Sequence, residues 1–255
     1  MTDPDPSEQR SLLELSGIDA GYGSFRALFD VDLRLGVGTA TALVGANGAG
    51  KSTVARVASG LVEPSAGIVS VDGEDLTGRP PHIFANAGIA HAPEGRALFG
   101  TLTVEENLTL AFRNAPEISD YRKAMEVAFE LFPKLGDRRS QNAGTLSGGE
   151  QRMLTLARVM VAKPKLLIAD ELSLGLAPLV TAQVYEALAR IRDSGCALLI
   201  VEQHLDHALE LADHVAVIEK GEITFQGPPG EAAKISETLL LPPRHPAKAD
   251  EEVGT

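Results

Sequence analysis

The stretch Gly45-Ala-Asn-Gly-Ala-Gly-Lys51-Ser52 reads G-x-x-x-x-G-K-S and constrains this chain more than any other feature. It follows the apolar run Ala40–Val44 and precedes a helical pattern over Ser52–Leu61, which is the strand–loop–helix setting the motif requires. Glycines allow tight backbone conformations in which successive N–H groups point inward at an anion. The following helix adds the positive end of its dipole. Lys51 is placed to reach β- and γ-phosphates, and the Ser52 hydroxyl to ligate Mg²⁺. The loop alone implies a nucleoside triphosphate and leaves open what its energy drives.

Around the loop, short apolar runs alternate with longer helical patterns, as in α/β architecture. Predicted strands are Leu12–Leu15, Phe29–Leu35, Thr39–Val44, Gly67–Val71, Gly88–Ala92, Leu166–Ala169, Ala197–Val201, Val215–Glu219 and Ile223–Gln226. The middle, from about Val104 to Lys163, is more helical, with Ala124, Val127, Ala128 and Leu131 at helical spacing. Further helices are predicted over Val180–Arg192 and Leu205–Ala212.

Composition excludes several classes. Of 255 residues, 44% are hydrophobic and 23% charged, so the chain can bury a core and is not disordered. No apolar run reaches the ~18 residues of a membrane span. Met1–Arg10 lacks the basic and apolar regions of a secretory signal. Cys196 is the only cysteine, which forbids an internal disulfide and fits a reducing cytosol. The net charge of −12 argues against a nucleic-acid partner. Residues 1–10 carry −2 and residues 243–255 carry −1, so −9 sits on the body.

Two further motifs bear on the chemistry. Leu146-Ser-Gly-Gly-Glu-Gln151 opens a predicted helix over Gln151–Ala162, with Ser147 as N-cap and Glu150 completing a capping box. Two glycines at a helix start are poor for stability, and they make sense if backbone N–H groups must approach an anion. Leu166-Leu-Ile-Ala-Asp170-Glu171 delivers two carboxylates at the C-terminal end of a strand, where parallel sheets place ligands. Asp170 suits Mg²⁺, and Glu171 suits a general base that polarises a water for attack on the γ-phosphate. His91 and Cys196 fall in strand patterns and read as packing residues; no His/Cys cluster suggests zinc.

With these three motifs in this order and spacing, the chain resembles the ATP-binding subunits of ABC transporters over about residues 11–241. The resemblance implies a P-loop NTPase fold with a RecA-like parallel-sheet core, an antiparallel β subdomain and a helical subdomain at about 97–162. Residues 1–10 and 242–255 are then flexible tails. It implies ATP and Mg²⁺ as cofactors, with ATP held by Gly45, Ala46, Asn47, Gly48, Ala49, Gly50, Lys51, Ser52 and Thr53. Tyr22 matches the aromatic that stacks on adenine. Ser147, Gly148, Gly149 and Glu150 match the signature that acts in trans on ATP bound to a second ATPase subunit, paralogue or self, in a head-to-tail dimer. The implied partners are transmembrane permease subunits and, indirectly, a solute-binding protein, with the chain peripheral at the cytoplasmic face of the membrane.

Finer features are similar to the smaller ATPase of branched-chain amino acid importers: Ala92-Pro-Glu-Gly-Arg96, Leu102–Leu108, Ser173-Leu-Gly-Leu-Ala-Pro178 and Val201-Glu-Gln203. Departures from the wider family are informative. Glu94 stands where Gln is usual, with an implied role near the metal. Gln203 takes the position of a switch histidine and can donate from its amide without titrating; His204 follows it and reads as a helix-start residue. Ala177 replaces a common Asp, and Leu172 replaces a Pro directly after the Asp-Glu pair, which frees φ and restores an N–H. A second reading keeps the ATPase and changes the cargo to urea, short amides or a lipopolysaccharide precursor. A third, a soluble ABC protein acting on ribosomes or DNA ends, is disfavoured by the single phosphate loop and the lack of a long heptad region.

Overall fold

The computed structural model describes residues 10–93, 98–113, 120–160, 163–203 and 206–232. A six-stranded sheet has the order β10-β9-β3-β8-β7-β6, formed by β3 (Ala40–Val44), β6 (Ile89–Ala92), β7 (Leu166–Asp170), β8 (Ala197–Glu202), β9 (His214–Glu219) and β10 (Glu222–Gly227). Its strands pair in parallel except β10, which runs antiparallel to β9. A four-stranded antiparallel sheet has the order β2-β1-β4-β5, from β1 (Ser11–Tyr22), β2 (Phe25–Gly36), β4 (Ala66–Val71) and β5 (Glu74–Asp75).

Apart from Thr41 and the carboxylates that end β7 and β8, the central strands are apolar, because both faces of their sheet are covered. Ala40, Ala42 and Val44 of β3, Leu167 and Ala169 of β7, and Leu198 and Ile200 of β8 face one core. That core includes α3 (Val104–Arg113), α4 (Tyr121–Leu131), α6 (Gly148–Met160) and α7 (Pro178–Asp193). Leu43, Leu166, Ile168, Leu199 and Val201 face the other. There α1 (Lys51–Ala58) is sandwiched against β1, β2 and β4. The period-2 alternation of strand side chains thus divides one run of apolar residues between two cores.

The fold is the expected α/β class, and its element boundaries differ instructively from the sequence pattern. β1 and β2 run well beyond Leu12–Leu15 and Phe29–Leu35, because register shifts break the alternation that marks a strand. Asp30 in β2 adopts φ 50°. Helix α1 stops at Ala58 rather than Leu61: Leu61 N–H turns back to Arg56 O (2.8 Å) and Gly60 N–H to Val57 O (3.0 Å), a helix stop with glycine just past the end. α2 (Pro81–Asn86) and α5 (Pro133–Gly136) are too short to show periodicity, and each starts on proline. α6 begins at Gly148, three residues ahead of the apolar pattern. α8 (Asp206–Leu211) falls within the predicted Leu205–Ala212. Residues 1–9 and 233–255, Glu94 and His204 lie outside the described residues.

His91 joins β6 to the end of α1: its Nδ1 is 3.1 Å from Ser59 Oγ, which is also 2.9 Å from Ala55 O. Burial pushes the imidazole down to about 4, and the Arg56 charge adds to the effect. Between its unfolded value of 6.5 and that value the unfolded chain binds the extra proton. The stability contributed by neutral His91 is therefore present above pH 6.5 and lost as pH falls toward 4. His91→Gln is expected to flatten that part of the acid limb by about 2 kcal/mol, read as denaturant midpoints across the same pH window.

Candidate nucleotide site

The site grows from the C-terminal ends of three adjacent parallel strands. Register pairs Val44 with Glu202 and Asp170 with Val201, so β3, β8 and β7 end in one row. β3 runs directly into the glycine loop, with Gly45 buried and Ala46, Asn47 and Gly48 exposed. Ala49 N–H bonds to Ala46 O (3.1 Å) and Thr53 N–H to Gly50 O (3.0 Å), closing the loop and starting α1. Exposed loop backbone above a helix N-terminus is suited to an anion.

Lys51 is buried, with 4% of its surface exposed. A buried ammonium needs partners. Its Nζ donates to Gly45 O (3.0 Å) and Ala46 O (3.2 Å) and lies 3.3 Å from Glu171 Oε1. Ser52 Oγ donates to Asp170 Oδ1 at 3.3 Å. Two hard oxygens side by side suit Mg²⁺, whose other positions phosphate oxygens and water can fill. Lys51, Ser52, Asp170 and Glu171, far apart in sequence, are thus brought together. Gln203 follows Glu202 at the same sheet edge and is half-buried.

Glu171 adopts φ 49°, a conformation unusual for a side-chain-bearing residue, and its N–H bonds to Val201 O (2.9 Å). Leu172, in place of a proline, is buried in the helical core. Packing thereby restrains the turn that a proline ring would otherwise stiffen. Tyr22, at the end of β1, is 43% exposed; its hydroxyl accepts from Arg56 at 2.9 Å, and that guanidinium sits 5.9 Å from the ring centroid.

The signature forms a separate constellation at the start of α6. Ser147 Oγ donates to Glu150 Oε2 (2.8 Å), Ser147 N–H reaches the same oxygen (2.9 Å), and Glu150 N–H returns to Ser147 Oγ (3.4 Å). This is the expected capping box. Arg138 adds an ion pair to Glu150 Oε1 at 2.8 Å. Although burial acts to raise the Glu150 carboxyl, the Ser147 bonds and Arg138 hold it below the usual range. Gly149 has a packing reason beyond anion approach: a Cβ there would lie 2.1 Å from Val180 Cγ1 of α7. Gly148 is exposed.

Glu202 was not singled out from the sequence. It is a carboxyl at 3% exposure on the end of an apolar strand. Burial raises it above the usual range, Glu171 pushes the same way, and bonds to Ser173 and Tyr185 oppose this. The signal for it was there: a charged residue continuing the apolar run Ala197–Val201. Gly221 was also missed. Its N–H donates to Ala49 O (2.8 Å) and its carbonyl accepts from Phe29 N–H (2.9 Å), tying the phosphate loop to β2.

Residues 28–173 match the ABC transporter family model. The chain is 42% identical over 214 residues to the high-affinity branched-chain amino acid transport ATP-binding protein BraG of Pseudomonas aeruginosa, spanning 84% of this chain and 91% of BraG. It is 35% identical over 221 residues to a probable branched-chain amino acid transport ATP-binding protein, LivF, of Archaeoglobus fulgidus, spanning 86% and 93%. A crystal structure of a nucleotide-free ATP-binding cassette from an ABC transporter superposes with TM-score 0.77 at 27% identity, covering 89% of this chain and 95% of that one. The ADP conformation of a cassette of the same type gives the same figures.

The chain belongs to the ABC transporter ATP-binding family. It is an ATP-binding subunit and an ATP hydrolase of that family, whose members work with transmembrane permease components. Among the described residues, no helix is long and apolar enough to cross a membrane.

Gly221 has φ 89°, and a Cβ on it would lie 2.4 Å from Ala27 O. Gly221→Ala is expected to cost about 2 kcal/mol or more in stability, since both backbone conformation and space oppose it. It should also weaken binding of a fluorescent ATP analogue by loosening Ala49. Denaturant midpoints and ligand titration check the two effects.

Proposed function

We propose that this chain hydrolyses MgATP at the Gly45–Ser52 loop to power a membrane importer of branched-chain amino acids. The observation that carries the chemistry is the Lys51–Glu171 pair standing beside the Ser52–Asp170 pair, at the ends of β3 and β7. The cargo is supported by likeness to BraG and LivF, both named for branched-chain amino acid transport. The chain would act as one ATPase domain over 11–241, with its helical subdomain at about 97–162. It would sit peripherally at the cytoplasmic face of the membrane through permease subunits, served indirectly by a solute-binding protein.

In this reading Ser52 and Asp170 would hold Mg²⁺, which would supply positive charge against the phosphates when bound. Loop N–H groups from Ala46 to Thr53 cradle the phosphates, and Tyr22 stacks on adenine. Lys51 gives up the Gly45 and Ala46 carbonyls for phosphate oxygens, which releases Glu171. The freed carboxylate takes a proton from water as the water oxygen bonds to the γ-phosphorus and the bond to the β-phosphate oxygen breaks, leaving ADP and phosphate. Gln203 donates an amide N–H to the γ-phosphate. Ser147, Gly148, Gly149 and Glu150 of a second ATPase subunit complete the site, so Ser147 must redirect its hydroxyl from Glu150 to phosphate. Glu94, by the resemblance, would serve the metal and report occupancy to the permease.

Glu171→Gln is expected to lower kcat by about 10²-fold or more while ATP binding persists, and to trap an ATP-bound dimer on size exclusion. Normal turnover would remove Glu171 from the role of base. Deleting the gene is expected to abolish uptake of radiolabelled leucine and spare urea uptake; the reverse pattern would transfer the cargo to the urea and amide class.

A further inference from the structure

The residue after Asp170 is held in an unfavourable backbone conformation, and something must hold it there. Glu171 at φ 49° is in the left-handed region that a side chain disfavours, and it persists only where the surroundings over-determine it. Its own N–H is anchored on Val201 O at 2.9 Å. Two residues on, Ser173 N–H is anchored on Glu202 Oε1 at 3.2 Å. Consecutive residues at the end of β8 therefore receive the two N–H groups that flank the turn, one through the backbone and one through a side chain.

The second anchor is costly to build. Glu202 is buried at the tip of a strand whose other residues are apolar, and a buried carboxyl is unfavourable unless it makes hydrogen bonds. A leucine at this place would continue the pattern of β8. The carboxyl instead spends one oxygen on Ser173, and the hydroxyl of Tyr185 from α7 interacts with it as well. β8 lies between β3 and β7 in the sheet, so Glu202 stands between the strand feeding the phosphate loop and the strand feeding the carboxylates. It also directly precedes Gln203.

We propose that Glu202 is a positioning residue for ATP hydrolysis: by accepting the Ser173 N–H, it fixes the turn that aims the Glu171 carboxylate at the nucleotide. This rests on the reading of Glu171 as the base. What matters in Glu202 is a hydrogen-bond acceptor at the right reach, because the Ser173 N–H needs an oxygen and not a charge. The position of Leu172 between the two anchors explains how the turn is held without a proline. The hydrophobic side chain and the two N–H anchors restrain three successive residues.

The test separates reach from charge in the full-length protein with MgATP. Glu202→Gln keeps the length and a carbonyl acceptor and loses the charge; Glu202→Asp keeps the charge and is one methylene too short. Glu202→Gln is expected to keep kcat within about threefold, and Glu202→Asp to lose about tenfold in kcat with KM for ATP little changed, as for an interaction that orients the base. Hydrogen exchange of the peptide spanning residues 171–176, followed by mass spectrometry, should accelerate in Glu202→Asp and stay near wild type in Glu202→Gln. Loss of kcat in Glu202→Gln with retention in Glu202→Asp would overturn the proposal, as would wild-type exchange and turnover in both. Failure of the base assignment appears elsewhere, as normal turnover by Glu171→Gln, and leaves the exchange result as a separate reading of the anchor.

Discussion

The parallel register of β3, β8 and β7 is the constraint on which the rest of the molecule depends. Val44 lies opposite Glu202, and Asp170 opposite Val201. A shift of one residue would turn every side chain of the shifted strand toward the other core. It would also move Asp170 and Glu171 away from Ser52 and Lys51. Burial on both faces is what fixes this register, because Leu167 and Ala169 must meet one core while Leu166 and Ile168 meet the other. The chemistry at the sheet edge is thus specified by hydrophobic residues that never touch it.

At that edge the chain satisfies itself. Lys51 has two carbonyls and a carboxylate, and Ser52 has Asp170; away from the edge, at the start of α6, Ser147 has Glu150, which has Arg138. The partners of Lys51 compensate the charge of the buried lysine, and in the proposed reaction phosphate oxygens take the place of the two carbonyls. The capping box has the same character: it stabilises the start of α6 and occupies the hydroxyl that the proposed dimer would need.

What was legible in the sequence was whatever is contiguous. The glycine loop, the LSGGE run and the Asp170-Glu171 pair carry their meaning in adjacent residues, and the strands that feed the loop and the carboxylate pair are flanked by apolar cores on both faces. What was hidden depends on neighbours distant in sequence. β1 and β2 were read short because irregular register interrupts the alternating pattern. α2 and α5 are shorter than the periodicity that would reveal them. The crowding of Gly149 by Val180 and the bond from Ser173 to Glu202 exist only once α7 and β8 are in place. Leu172 looked like a loss of rigidity from the sequence, and its burial is visible only in three dimensions.

The bonds from Gly221 to Ala49 and Phe29 have a consequence for how the protein comes into being. The phosphate-loop motif is complete by Ser52, so a ribosome makes it before Gly221. Its shape is not complete then, because β9, which flanks β3, and the turn carrying Gly221 belong to the last part of the described chain. A growing chain that carries the motif still lacks the contacts that hold the loop. Synthesis therefore makes the phosphate loop well before the turn that braces it, and a chain that stops short of Gly221 lacks both of those bonds.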